Sequence, residues 1–351
     1  MKIQESIPLA PHTTFGLGGP ARWLAVATSE AEVLEALAWA GDKRARVFVL
    51  GGGSNLLVSD DGFDGLVLQM ALRGIRADHA VGGVGCRFTA GAGEPWDDFV
   101  ARTVREGYAG LECLSGIPGT VGGTPVQNVG AYGQEVGTTI HAVRVFDRLE
   151  GCSYEMKAAE CGFGYRASRF NGADAGRFIV LAVTYELMPG APYLAYRDLA
   201  ERFRNHPGAP TLQEARDAVR EIRHAKGMLI VPGEADCRSA GSFFKNPVVP
   251  VEEVARVAAA AGAEPPRFEA GPGQVKLPAA WLIERAGFTK GHARGPAAIS
   301  SRHTLALINT GAARTADILA LAREVRDGVR DKFGVTLRPE PVLLGFTAPP
   351  L

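Results

Sequence analysis

Apolar residues recur along this chain in two rhythms, every second residue and every third or fourth, and the changes between them predict alternating strands and helices. Residues 22–26 (RWLAV) read as a strand. "TSEAEVLEALAWAG" follows as a helix, with Ser29 at its N-cap, Glu32 three positions on and Gly41 closing it. "RVFVL" (46–50) is a second strand and completes a βαβ unit, and "LLVSDDGFDGLVLQM" reads as strand, turn, strand. Residues 94–107 (EPWDDFVARTVREG) put Trp96, Phe99, Val100 and Val104 on one helical face, with Pro95 in the first turn. A loop of unusual composition fills 110–133, and strand-like runs follow at 140–148 and 177–187.

Proline and glycine cluster at 206–211 (HPGAPT), where a boundary is expected. Beyond it, "TLQEARDAVREIRHAK" is a helix with a capping box from Thr211 to Glu214. Helical stretches near 251–262 and 279–286 follow, then a strand, "TLALIN". The amphipathic "TADILALAREVRDGVRDKFG" lines up Ile318, Ala322, Val325, Val329 and Phe333 and stops at Gly334. "VTLRPEPVLLGF" reads as a last strand. The class is mixed α and β with at least two domains, which suits a chain of 351 residues.

Charge and cysteine content narrow the function. The 38 basic residues balance 38 acidic ones without a basic stripe, which argues against a nucleic-acid or membrane-surface partner. Five cysteines (Cys86, Cys113, Cys152, Cys161 and Cys237) form no CxxC pair and no metal cluster, so reduced thiols in the cytoplasm and no metal are expected. The first residues lack the apolar core of a signal peptide, and no stretch approaches a membrane span.

Two glycine-rich loops carry the candidate chemistry. "VLGGGSNLLVSD" (49–60) bares the backbone at Gly51, Gly52 and Gly53 and adds donors at Ser54 and Asn55. It lacks the Gly-Lys-Ser/Thr ending of a P-loop and has no helix behind it. "GLGGPA" (16–21) matches a dinucleotide fingerprint letter by letter, but no strand precedes it and no helix follows. The second loop, "GIPGTVGG", leads into Gln127, Asn128 and "GAYG". Each loop alone reads as a tight turn. Together, as nests of backbone N–H groups, they suit a long diphosphate-bearing cofactor.

"LGGGSNLLVSD", "LSGIPGTVGGTPVQNVGAYG", "CGFGYRASRF", "GSFFKNP" and "LRPEPVLLG" occur in the order found in the UDP-N-acetylenolpyruvoylglucosamine reductases, also called UDP-N-acetylmuramate dehydrogenases. The resemblance runs from about Thr14 to Phe346 and extends to the longer subgroup with a tyrosine-bearing lid segment. It implies an α+β chain: a two-subdomain FAD-binding fold of the vanillyl-alcohol oxidase (PCMH) type plus a C-terminal α+β substrate domain. On this reading 1–73 and 74–207 are the FAD-binding subdomains, 208–335 the substrate domain, and 336–351 a strand carrying Glu340 and the tail. The implied cofactors are FAD and NADPH, the partner is a UDP-sugar, and the expectation is a cytoplasmic monomer. The implied reaction reduces an enolpyruvyl ether on the sugar to a lactyl ether, for peptidoglycan synthesis.

Such a reduction builds negative charge next to a carboxylate, and that charge needs partners already in place. By resemblance, Arg166 (GYRASRF) and Glu340 (RPEPV) stabilise the enediolate and Ser242 (AGSFF) protonates the adjacent carbon. The resemblance further assigns FAD contacts to Thr14, Gly51, Gly52, Gly53, Ser54, Asn55, Ile117, Pro118, Gly119, Gly122, Gly123, Gln127, Asn128, Gly130 and Ala131. Substrate contacts fall to Tyr165, Tyr196, Lys226, Lys245, Asn246 and His303, the last where relatives also use a polar residue such as Gln. No second nucleotide fingerprint exists, so NADPH and the UDP-sugar are expected to use one pocket in turn. Ala167 stands where relatives often carry an acidic residue, and "AWLI" replaces "GWLI". A serine hydrolase is disfavoured because "SAGSFFK" has no glycine two residues after the serine. A flavin oxidase of the same fold and a non-catalytic UDP-sugar sensor remain as alternatives.

Overall fold

The computed structural model describes residues 1–79 and 84–351 and divides into two compact units. The first comprises Met1–Glu5, Trp23–Gly52 and Gly65–His224, and the second Ser6–Arg22, Gly53–Asp64 and Ala225–Leu351. The expected boundary at 206–211 is thus not where the chain divides. Helix Leu212–Ala225 counts with the first unit up to His224, because its buried Leu212, Ala218 and Val219 pack into cores of that unit. Part of the N-terminal sequence also joins the second unit, which a linear division of the chain could not anticipate.

In the first unit the helix Glu30–Asp42 starts as its sequence predicts, with Glu32 N–H donating to Ser29 Oγ at 3.2 Å. It runs through Gly41 and ends at Lys43 instead. Strand Val47–Leu50 pairs in parallel with Phe63–Met70, and that strand separates it from Pro20–Ala27, so the βαβ strands are not direct neighbours. A larger antiparallel sheet follows, in which Ile140–Asp147 and Phe178–Pro189 are central and pair over most of their length. Helix Trp96–Arg105 buries Trp96, Phe99, Val100 and Val104, the face its spacing predicts. The sequence reading did not anticipate the strands Ile75–His79, Cys86–Gly91 and Cys152–Lys157 or the short helix Arg197–Arg202.

The second unit is built around helix Thr315–Phe333, which buries Ile318, Ala322, Val325, Val329 and Phe333 and ends at Gly334 with φ 66°. Its first turn is held by Asp60, whose carboxylate accepts from the N–H groups of Thr315 (2.9 Å) and Ala316 (3.0 Å). The expected last strand is shortened to Val342–Leu344, because Pro339 and Pro341 offer no N–H to a ladder. It pairs in parallel with Leu56–Val58, the strand that follows the glycine run. All five cysteines are free thiols. Among the described residues no cluster could hold a metal ion, and no helix is long and apolar enough to cross a membrane.

Candidate active site

In the first unit the two glycine loops meet. A Cβ on Gly52 would fall 2.7 Å from Gly119 Cα, which the backbone cannot accommodate, so only a glycine allows this approach. A Cβ on Gly51 would lie 2.8 Å from Thr120 Oγ1, and that hydroxyl is buried without a hydrogen-bond partner. A buried orphan hydroxyl beside bare backbone is what a bound polar group would complete. Bare backbone at Gly51 and Gly52 set against Gly119, with that orphan hydroxyl beside it, fits a diphosphate-bearing cofactor. Gly122 packs tightly on Ala92, and Gly123 opens on empty space.

The loop is held from behind. Pro95 bridges Thr120, and Trp96 N–H donates to Gly119 O at 3.1 Å. Asp97, in the first turn of helix Trp96–Arg105, accepts from Gly116 N–H at 2.6 Å and from Arg216 at 2.7 Å, and also takes Arg220. Burial pushes the Asp97 carboxyl up, but the Arg216 and Gly116 hydrogen bonds and the two guanidinium charges outweigh it and hold it below 3.8. Sequence reasoning missed Asp97, which stands in no recognisable pattern, and Thr120, although it lies inside "GIPGTVGG".

Beyond this loop, Asn128 has φ 45° and spends its side chain inside the protein. Its Nδ2 donates to Glu135 (2.9 Å) and to the Gly164 carbonyl (3.1 Å), and its Oδ1 accepts from Gly137 N–H (2.9 Å). It thereby braces the hairpin in which Gly164 and Ala167 exchange backbone hydrogen bonds around Tyr165 and Arg166. Arg166 sits at the tip with φ 52°, a conformation that L-residues keep only when their surroundings impose it. Its guanidinium donates to the Gly130 carbonyl at 2.7 Å and lies 5.5 Å from the centre of the Tyr165 ring. Gln127 is half-buried, and Ala131 ends the short strand Gly130–Ala131 that pairs with Gln134–Glu135. Tyr196 is exposed, its ring 5.3 Å from that of Tyr132 in an edge-on contact.

The second unit gathers most of the other predicted residues into adjoining backbone segments. Phe243 N–H donates to Leu305 O, Glu340 N–H to Phe243 O and Lys245 N–H to Arg338 O, at 2.8, 2.8 and 3.0 Å. Ser242, Lys245 and Asn246 therefore run between the His303 loop on one side and Glu340 on the other. Glu340 is fixed further by Asn55, whose Nδ2 donates to its carbonyl at 3.3 Å. Asn246 Oδ1 is committed to Ala279 N–H (2.9 Å), which leaves its NH2 group for a ligand. Gly53, with φ 63°, would drive a Cβ to 1.8 Å from His12 O, and Thr14 N–H donates to its carbonyl at 3.2 Å. The Thr14 hydroxyl bonds the carbonyl of Ser239 (2.5 Å) and reaches that of Ser54 (3.4 Å), so it braces this loop.

His303 is half-buried, and its Nδ1 accepts from Leu305 N–H at 3.1 Å, so the neutral ring carries its proton on Nε2. Burial, then the charges of Lys226 and Lys290, push it down to about 4. His303 is thus a fixed neutral donor beside two ammonium groups, a set suited to phosphate oxygens. Lys290 was not singled out from the sequence, because nothing in "FTKGHARG" marks it.

Residues 232–344 match the C-terminal domain of UDP-N-acetylenolpyruvoylglucosamine reductase, and residues 21–151 match an FAD binding domain. The chain is 51% identical to the UDP-N-acetylenolpyruvoylglucosamine reductase of Streptomyces coelicolor, over 98% of this chain and 91% of that protein. It is 48% identical to the enzyme of that name from Thermobifida fusca, over 98% of each. The crystal structure of the reductase from Thermus caldophilus superposes with a TM-score of 0.66 at 28% identity, covering 98% of this chain and 100% of that one. With both domains matched in order and full-length relatives at this identity, the chain belongs to the UDP-N-acetylenolpyruvoylglucosamine reductase family.

Proposed function

We propose that this chain reduces UDP-N-acetylglucosamine enolpyruvate to UDP-N-acetylmuramate, with FAD as bound cofactor and NADPH as reductant, in peptidoglycan precursor synthesis. The observation that carries the reading is the backbone pairing that sets Glu340 against Phe243, next to Ser242, with Lys245 and Asn246 on the same segment. A flavin oxidase or a UDP-sugar sensor has no need of that arrangement.

FAD, when bound, would supply the hydride for the reduction of the olefin. The chain's residues handle the charge and proton that go with it. Arg166 takes the substrate carboxylate, its guanidinium already oriented by the Gly130 carbonyl and the strained turn. Glu340, stiffened by a proline on either side, adds a second stabilising contact to the enediolate. Ser242 holds the proton that neutralises the adjacent carbon, which is basic enough to take it from a hydroxyl. Lys226, Lys245, Asn246 and His303 bind the diphosphate and sugar, with Tyr165 and Tyr196 completing the grip. Because NADPH also carries a diphosphate, the same groups serve both ligands in turn, and the enzyme works as a cytoplasmic monomer.

An anaerobic two-stage assay tests this reading. NADPH alone bleaches the flavin absorbance, and the UDP-sugar then restores it. Ser242→Ala keeps the first stage and loses the second by at least about 100-fold, the scale of positioned proton transfer. A Ser242→Ala enzyme that falls equally in both stages overturns the proton-donor role.

A further inference from the structure

Glu112 is wholly buried, and its carboxylate accepts three hydrogen bonds from three separate segments of the first unit. Gly110 N–H donates at 2.7 Å, Gln134 Nε2 at 2.8 Å and Tyr193 N–H at 2.8 Å. All three donors are neutral. A carboxylate taken out of water is expensive, so it persists where several donors need one acceptor. Gln134 is locked in turn, its Oε1 accepting Cys113 N–H at 2.9 Å.

The unusual partner is Tyr193. Residues 190–195 form neither helix nor strand, and both tyrosines here, Tyr193 and Tyr196, have exposed rings. The stretch is tied down at Tyr193 from both sides of its backbone: its N–H goes to Glu112, and its carbonyl accepts from Cys113 Sγ at 3.2 Å. Burial raises the Cys113 thiol, so the S–H donor persists. The Tyr193 ring lies over Gly133, where a Cβ would be 2.6 Å from Cε1. Three residues later Tyr196 meets Tyr132 edge-on.

We propose that Glu112 is a positioning residue that pins Tyr193 and thereby sets where the Tyr196 ring stands. The proposal rests on the reading of Tyr196 as a ligand-binding residue. The substrate class served is the uridine diphosphate half of the sugar nucleotide, and Glu112 reaches it only through the pinned segment.

The test uses the FAD-loaded enzyme and has two arms. Hydrogen exchange of peptides spanning 190–196 reads the pin: Glu112→Gln places an amide against three donors, and the Tyr193 amide exchanges about tenfold faster or more. Calorimetric titration with UDP reads the consequence. Glu112→Gln and Tyr196→Ala each weaken UDP binding about three- to tenfold, but Glu112→Gln has less than a twofold effect when Tyr196 is already Ala. Cys113→Ala, which frees the Tyr193 carbonyl without touching a charge, repeats both arms if the Glu112 variant does not fold. Unchanged exchange overturns the pin. Faster exchange with equal effects of Glu112→Gln in both backgrounds overturns its action through Tyr196. Tyr196→Ala with unaltered UDP affinity overturns the reading of Tyr196, and with it the consequence of the pin.

Discussion

Replacing Asp97 with Asn keeps the shape of the side chain and its acceptor for Gly116 N–H, but leaves Arg216 and Arg220 without their shared anion. Breaking a buried ion pair by removing one partner costs about 3–5 kcal/mol. Asp97 keeps 28% of its side-chain exposure and Arg216 only 9%, so the lower end applies, about 2–3 kcal/mol after solvent screening. For a unit of this size that lowers the melting temperature by about 4–12 °C at pH 7. Because the same carboxylate holds the 116–119 turn, FAD is also retained less well through dilution or gel filtration. The pH dependence has a fixed sign. A folded-state value held below 3.8 makes the stabilisation fully present above that pH, and it is lost as the pH falls through the folded value. Melting curves of the two proteins should therefore differ throughout neutral pH and converge only below about pH 4. A melting temperature within about 1 °C of the parent, with FAD retention intact, would refute the reasoning.

Gly52→Ala drives a methyl into Gly119 and should weaken FAD binding at least about tenfold in titrations of apoprotein; an unchanged affinity would remove the loop junction from the cofactor site. His303 has an ordinary value of 6.5 in the unfolded chain and about 4 when folded, so the unfolded state binds more protons between them. Stability should therefore fall as the pH drops from about 6.5 to about 4, by at most about 3 kcal/mol, and His303→Gln should flatten that part of the urea-midpoint profile. Arg166→Met should slow flavin reoxidation by the UDP-sugar while sparing reduction by NADPH, because only the former builds carboxylate-linked charge; equal losses in both stages would reassign it.

Local signals in the sequence carried far. The Ser29 cap, the Thr211–Glu214 capping box and the buried stripe of helix Thr315–Phe333 all form as their spacing requires, since each depends on residues within one or two turns. The glycine loops were legible as bare backbone, but not the reason for it: Gly52 needs Gly119, 67 positions away, and no periodicity reports such a contact. Short strands such as Cys86–Gly91 went unread because their pattern is set by neighbours in the sheet. Asp97, Glu112 and Lys290 look like ordinary surface charges in the sequence, and only tertiary packing distinguishes them from the many that are.

The parallel pairing of Val342–Leu344 with Leu56–Val58 bears on how the chain is made. A strand finished early in synthesis must wait for a partner almost 290 residues later, roughly 15–60 s at ordinary ribosomal speeds. During that interval Asn55 lacks the Val342 N–H and the Glu340 carbonyl, both of which arrive with the C-terminus. On the proposed role of Asn55 in holding FAD, nascent chains stalled before residue 342 should emerge without the yellow colour of a flavoprotein.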